Sequence, residues 1–281
     1  MYLKPVHRIG IMAMSVAAPR QLAALMLRVP ATLPAGPVQA DAEAEPVAFP
    51  TKGGAVCRGW WLKPRVGAED RVVVLAHGWT SQYQRMEMFL EPLLAEGNQV
   101  LLYDARGHGG SDPTPYCSVR EFSDDLHAAI RFARGRASRI AVIGHSLGAS
   151  ATIITTAEGS GAERLVTIAA FADPVKASAD ILDAEQLPGE VILQRIMPHV
   201  ESFIGCRAET VTPELLLRSI QVPVIMIHGT EDEIVPVAHF HRLVAAAGDG
   251  VETILIEGGD HNSVKVEPRV LARIRSFFRD W

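Results

Sequence analysis

From about residue 55 onward, the chain alternates short, unbroken apolar runs with longer stretches in which apolar residues recur every three or four positions. The runs fall at 55–62, 71–76, 99–103, 139–143, 165–169, 222–227 and 252–256. Their apolar side chains run continuously instead of alternating with polar residues, as strands buried on both faces require. Helical periodicity predicts helices over 85–95, 120–134, 238–247 and 268–278, and another immediately after residue 146. In 120–134, Phe122, Leu126, Ile130 and Ala133 share one face. Strands of about five residues alternating with helices predict an α/β fold with a mostly parallel sheet covered on both sides.

Two regions break this rhythm. Residues 171–218 separate the runs at 165–169 and 222–227; they hold helical patches at 177–182 and 213–217 but no comparable strand. An insertion here follows a strand at the carboxyl edge of the sheet, where such folds bind ligands. It is expected to be a cap, or lid; a pair of ordinary crossover helices is the competing reading. The second break is at the start. Lys4, His7 and Arg8 precede an apolar run at 9–18, and a second apolar stretch at 22–29 is interrupted by Arg28. Residues 30–46 contain Pro30, Pro34, Gly36, Pro37 and Pro46 together with Asp41, Glu43 and Glu45, which reads as an irregular linker. The expected organisation is a helical arm and linker at 1–46, a core at 47–170 and 219–281, and a cap at 171–218.

Composition narrows the function classes. At 281 residues the chain is long enough for one large core, and its 48% apolar and 21% charged content is ordinary for a globular protein. A net charge of −5 with dispersed Lys and Arg argues against nucleic-acid binding. No stretch is long enough to cross a bilayer. The run at 9–18 resembles a short signal peptide, but it equally suits an amphipathic helix that packs on the body or makes a weak contact with a membrane surface. Cys57, Cys117 and Cys206 form neither a disulfide framework nor a C-x-x-C pair, which suits a reducing compartment. The expected location is therefore the cytoplasm, with export or membrane association through residues 1–29 as the alternative. Nothing in the composition bears on oligomeric state.

The chemistry concentrates in Gly144-His145-Ser146-Leu147-Gly148, between the run at 139–143 and the helix that follows. G-x-S-x-G between strand and helix lifts a serine hydroxyl onto a sharp turn. Ser146 is the expected nucleophile. A serine needs a histidine to take its proton, and that histidine needs an orienting carboxylate. Asp232 follows the run at 222–227, in Gly229-Thr230-Glu231-Asp232-Glu233. His261 follows the run at 252–256, in Gly258-Gly259-Asp260-His261. All three residues then lie on loops at one end of the sheet, in the order Ser, Asp, His. Glu231 and Glu233 are rival acids, and Asp260 neighbours the histidine. The oxyanion of an acyl-transfer transition state needs two backbone N–H groups. Leu147, after the nucleophile, and Trp79, in His77-Gly78-Trp79-Thr80, are the expected donors.

Other conspicuous groups read as structural. Asp104-Ala105-Arg106-Gly107-His108-Gly109-Gly110-Ser111 reads as a glycine-rich turn with its own polar bracing, not a phosphate loop, because no lysine follows. His77 is expected to brace its loop, and His228 to be a satisfied packing group. His239 and His241 are two apart and do not share a helix face. No spacing of ligands supports a metal site.

Together, His77-Gly78-Trp79, Asp104 to Ser111, the serine turn, Gly229 to Pro236 and Gly259-Asp260-His261 resemble the α/β-hydrolase superfamily, over about residues 47–281. Phe49 to Gly54 with Gly59-Trp60-Trp61-Leu62 is similar to its serine aminopeptidase-like, monoacylglycerol-lipase-like and dienelactone-hydrolase-like members. The resemblance implies a mostly parallel eight-stranded sheet with a short helical cap, no cofactor, and a serine carboxylesterase acting on a small or medium acyl substrate through an acyl-enzyme. The serine at the elbow departs from relatives that carry aspartate or cysteine there. The same machinery would serve a thioesterase, an amidase or peptidase, or an acyltransferase. Lys176, Arg195 and Arg207 would suit an acyl-CoA rim; Asp173, Asp180, Asp183, Glu185 and Glu201 would suit a pocket for a free amine. A non-catalytic ligand-binding or scaffold protein is the alternative of a different class. Trp79, Phe171, Met197 and Phe203 are the candidates for an apolar substrate pocket.

Overall fold

The computed structural model describes residues 4–30, 32–34, 36–67, 70–279 and 281. Eight strands form one sheet: β1 (Ala42–Pro50), β2 (Val56–Pro64), β3 (Arg71–Ala76), β4 (Gln99–Asp104), β5 (Arg139–His145), β6 (Arg164–Ile168), β7 (Val224–Gly229) and β8 (Val251–Ile256). Their spatial order is β1-β2-β4-β3-β5-β6-β7-β8. β2 is antiparallel to both of its neighbours, and β3 to β8 are mutually parallel. The helices are α1 (Pro5–Ala17), α2 (Pro19–Met26), α3 (Leu90–Leu94), α4 (Val119–Arg134), α5 (Leu147–Ala157), α6 (Pro174–Ala184), α7 (Gly189–Ile204), α8 (Pro213–Leu216), α9 (Val237–Ala246) and α10 (Pro268–Arg279).

The central strands are buried on both faces, so each contributes to two cores. Val72 and Val74 of β3 join one apolar cluster with α4, α5 and α9; Val73 and Leu75 join another with α3 and α10. The period-2 alternation of a strand sends successive side chains to opposite layers. α4 buries Phe122, Leu126, Ile130 and Ala133, the expected face. It starts at a reciprocal cap in which Ser118 and Glu121 satisfy each other's end of the first turn.

The first half of β1 lies where the sequence reads as linker, and its second half in the expected core. The strand begins at Ala42, and its first half is exposed, with only Val47 and Phe49 buried. An edge strand with one partner tolerates Pro46 and Pro50, and its sparse apolar content carries little periodic signal. α7 is the other element that pattern reading misses, because Pro198 lies inside it.

The 171–218 segment contributes α6, α7 and α8. α1 and α2 pack against α6 and α7, where Leu22 and Ala23 meet Leu182, Ile192, Leu193 and Ile196 in a third apolar cluster. The early helices and the insertion thus make one helical layer. One of its ties to the core runs through α9: His239 accepts the Ala172 N–H at 3.1 Å, and its other ring nitrogen lies 3.0 Å from Asp180 on α6. Among the described residues, no helix is long and apolar enough to cross a membrane.

One buried ion pair fixes the loop after β4. Asp125 on α4 is fully buried and accepts from the Arg106 backbone N–H at 2.8 Å and from its guanidinium at 2.6 and 2.8 Å. Arg106 also reaches Thr51 at 3.0 Å. Removing one member leaves an uncompensated buried charge. Asp125→Ala should lower unfolding stability by about 3–5 kcal/mol, read from urea midpoints at constant slope.

Candidate active site

The turn between β5 and α5 is drawn tight by its neighbours. A Cβ at Gly144 would lie 2.5 Å from the Gly148 carbonyl oxygen, and one at Gly148 would lie 2.4 Å from the carbonyl oxygens of Ala76 and His77. No side chain fits at either position. Between them Ser146 adopts φ 56°, ψ −122°, a region that side-chain-bearing residues rarely occupy. Its N–H donates to the Ile168 carbonyl at 2.8 Å, which ties the turn to the end of β6. Ser146 is partly exposed, at the first turn of α5.

The loops after β7 and β8 are stitched together. Thr230 and Glu231 donate their N–H groups to the carbonyls of Ile256 and Gly259, at 3.0 and 2.9 Å. This contact brings Asp232 to His261: Asp232 Oδ2 lies 2.7 Å from His261 Nδ1, and both residues are buried. Asp232 Oδ1 accepts from the N–H groups of Ile234 and Val235, at 2.9 and 2.8 Å. A carboxylate so held can accept only from Nδ1–H, which leaves His261 Nε2 as the basic nitrogen. Glu231 and Glu233 are exposed. Asp260 turns its carboxylate back onto the N–H groups of Asn262 and Ser263, at 2.7 and 2.8 Å. His228 is 2.8 Å from the Val235 carbonyl and 3.5 Å from Asp232 Oδ2, so it packs behind the acid.

The loop after β3 passes directly over the serine. A Cβ on Gly78 would come within 3.0 Å of Ser146 Cβ. Two imidazoles hold this loop. His77 Nε2 accepts from the Ala105 N–H at 2.9 Å while Nδ1–H donates to the Gly78 carbonyl at 2.7 Å. His108 Nε2 accepts from the Thr80 N–H at 3.2 Å while Nδ1–H donates to the Arg106 carbonyl at 3.0 Å. The partners assign each tautomer. Both rings must be neutral to accept, and burial pushes each down to about 4. Asp104 completes the brace by accepting the N–H groups of Tyr83 and Gly110, at 2.8 and 2.9 Å. Within the described residues, neither the Trp79 nor the Leu147 amide donates to another backbone carbonyl.

The pocket candidates divide between two places. Trp79 is half-buried with its ring 5.5 Å from His108, and Phe171 is buried in the same apolar cluster, its backbone clasped by Ser150 Oγ. Met197 and Phe203 belong instead to the layer made by α1, α2, α6 and α7. Phe203 lies 4.6 Å from Tyr116 and under the Arg20 guanidinium. Two residues that pattern reading passes over also reach the site. His145 contacts the His261 backbone, and buried Lys265 contacts His145. No motif marks Lys265, and His145, though it lies inside the serine motif, takes this role from packing. Among the described residues, no cluster of three or more His, Cys, Asp or Glu could hold a metal ion.

Residues 73–274 match the alpha/beta hydrolase family. The chain belongs to that family. Its relatives include YfhR of Salmonella typhimurium, an uncharacterized protein 27% identical over 228 residues, which span 78% of this chain and 75% of that one. Another is Rv2307c of Mycobacterium tuberculosis, also uncharacterized, 27% identical over 256 residues, 88% of this chain and 84% of that one. Among solved structures, the Pyrococcus furiosus esterase Pf2001 superposes with a TM-score of 0.71 at 24% identity, covering 90% of this chain and 99% of that one. Est1E of Butyrivibrio proteoclasticus, solved with ferulic acid bound, gives a TM-score of 0.62 at 16% identity over 83% of this chain and 97% of that one. These likenesses show that this alpha/beta hydrolase family chain shares the esterases' fold.

The neutral imidazoles make the site acid-sensitive. Unfolded histidines bind protons from about pH 6.5 downward, whereas folded His77 and His108 do so only near pH 4. Between these limits the unfolded state holds more protons, so stability falls as pH falls. Urea midpoints should decline from pH 7 to pH 4.5, and His108→Gln should show a shallower decline.

Proposed function

We propose that the protein is a serine hydrolase cleaving a carboxylic ester of a small or medium acyl substrate. The observation that carries this reading is the 2.7 Å contact between Asp232 and His261 on loops at the same sheet edge as the strained Ser146 turn. In the proposed mechanism Ser146 Oγ attacks the acyl carbon and His261 Nε2 takes its proton. Asp232 holds Nδ1–H and stabilises the imidazolium that forms. The carbonyl electron pair moves onto oxygen, where the N–H groups of Leu147 and Trp79 receive it. The tetrahedral centre collapses, His261 protonates the departing alcohol, and an acyl-serine remains. Water, losing a proton to His261, then releases the acid. No cofactor enters this sequence.

The esterase activity named for Pf2001, and the ferulic acid bound to Est1E, are in keeping with an ester substrate. Four of the five acids that would form a free-amine pocket are engaged elsewhere. Asp173 caps α6, Asp180 bonds His239, Asp183 accepts the Gly189 N–H at 2.9 Å, and Glu201 accepts the Ala208 N–H at 2.9 Å. This favours the ester over the peptidase reading, and leaves thioester cleavage and acyl transfer as variations on the same chemistry. We assign 47–170 and 219–281 to the catalytic core and 171–218 to its cap, with Trp79 and Phe171 nearest the acyl chain. The three free thiols suit a cytoplasmic setting.

Hydrolysis of short and medium p-nitrophenyl esters, together with fluorophosphonate labelling, tests the assignment. Wild-type protein should turn over the esters and label at Ser146. Ser146→Ala should abolish labelling and lower kcat by at least ~10⁴-fold, and His261→Ala nearly as much. Asp232→Ala should cost far more than Glu231→Ala. Wild-type protein inert to every ester and to the label would sink the reading.

A further inference from the structure

Lys265 has no ordinary reason to be where it is. It ends a one-turn 3₁₀ helix (Ser263–Lys265) just past His261 and is 3% exposed. Lysine is almost never fully buried unless paired with an acid. Among the described residues, no carboxylate lies within ion-pair distance of its Nζ. Its polar neighbours are Asn262 Oδ1 at 3.1 Å and His145 Nδ1 at 3.5 Å.

His145 explains the second contact. Its Nε2 is 2.8 Å from the His261 carbonyl oxygen, which can only accept, so Nε2 carries the hydrogen and Nδ1 presents a lone pair. That lone pair is what an ammonium can donate to. The same ring lies 4.8 Å from the His261 ring, and its Nδ1 is 3.5 Å from where a Gly78 Cβ would be. His145 therefore touches all three segments of the site: the serine turn, the loop over it and the histidine loop. The other tautomer would set a bare Nε2 against the carbonyl and repel the histidine loop.

We propose that Lys265 is a positioning residue that holds His145 in its Nε2–H tautomer and thereby fixes the backbone carrying His261. This rests on the serine-hydrolase reading for its catalytic consequence. The charged and titratable groups facing Lys265 are His145 from β5, Asp260 from its own loop, and Arg85 from the 3₁₀ turn Tyr83–Phe89. Burial first and Arg85 second push its ammonium down to about 8, while Asp260 opposes them. Above that pH the amine still carries N–H groups, so the contact with His145 loses its charge assistance but keeps its donor.

The test compares Lys265→Met, Lys265→Gln, His145→Phe and the Lys265→Met/His145→Phe double variant in the full chain. Ester kinetics from pH 6 to 10 are read beside ¹⁵N NMR of the histidine rings. Lys265→Met should lower kcat about tenfold with KM nearly unchanged, as expected of a displaced catalytic group. Lys265→Gln, which keeps an N–H donor, should restore most of kcat. The double variant should be no worse than His145→Phe, since both changes cut one chain of contacts. In Lys265→Met the His145 ring signals should move toward mixed tautomers. Wild-type kcat in Lys265→Met, unmoved His145 signals, or costs that multiply in the double variant would each overturn the proposal. The NMR signature needs no turnover: an inert wild type whose His145 signals respond to Lys265→Met counts against the hydrolase reading and upholds the contact chain.

Discussion

Three stretches of backbone meet around Ser146 with no room for a side chain between them. The serine turn, the end of β3 and the loop that follows it approach until a methyl group at Gly78, Gly144 or Gly148 would collide or crowd. This close approach is the constraint on which the rest depends. It sets the hydroxyl above the sheet, puts the Trp79 loop over it, and forces φ of Ser146 to a value that only surrounding structure can maintain. The glycines permit the geometry but do not supply the energy. That comes from strands β3, β5 and β6, whose apolar side chains are sealed into both layers.

The second feature is a dependence on uncharged imidazole. His77 and His108 each accept a backbone N–H and donate to a carbonyl, acting as rigid two-ended connectors within the loops around the serine. His145 extends the same device to the histidine loop. Neutral imidazole is the side-chain ring that offers one donor and one acceptor at fixed angles, so it can join two backbone segments that cannot bond each other. Burial keeps the rings neutral, and neutrality lets them be buried without an acid.

Much of this was legible in the chain. Continuous apolar runs identified the central strands, because burial on both faces leaves an unbroken signature at 71–76 and 139–143. The serine turn and the Asp232 loop could be located because each follows such a run; the His261 loop follows β8, an edge strand in which only Ile256 is buried, and was located by its apolar residues 254–256. What could not be read was edge structure and packing. β1 spends one face on solvent and carries two prolines, so its pattern resembles a linker. α7 carries an internal proline, which masks its helical period. His145 and Lys265 matter through distances between segments more than a hundred residues apart, and no local pattern encodes those. Met197 and Phe203 looked like pocket residues by type, but belong to a helical layer with its own apolar interior.

That layer has a mechanical consequence. The surface of α7 that α1 and α2 cover is apolar, with Leu22 and Ala23 set against Ile192, Leu193 and Ile196. A helical insertion joined to the core only at its own ends could swing on two strands of chain. This one is also clamped from outside by helices that reach the core separately, with the Leu27 carbonyl bonded by Cys117 N–H and Thr32 by Gly109 N–H. Any excursion must either carry those helices along or expose the seam between them to water. α6 and α7 are thus held both at the ends of their own segment and by α1 and α2, which are tied to the core separately.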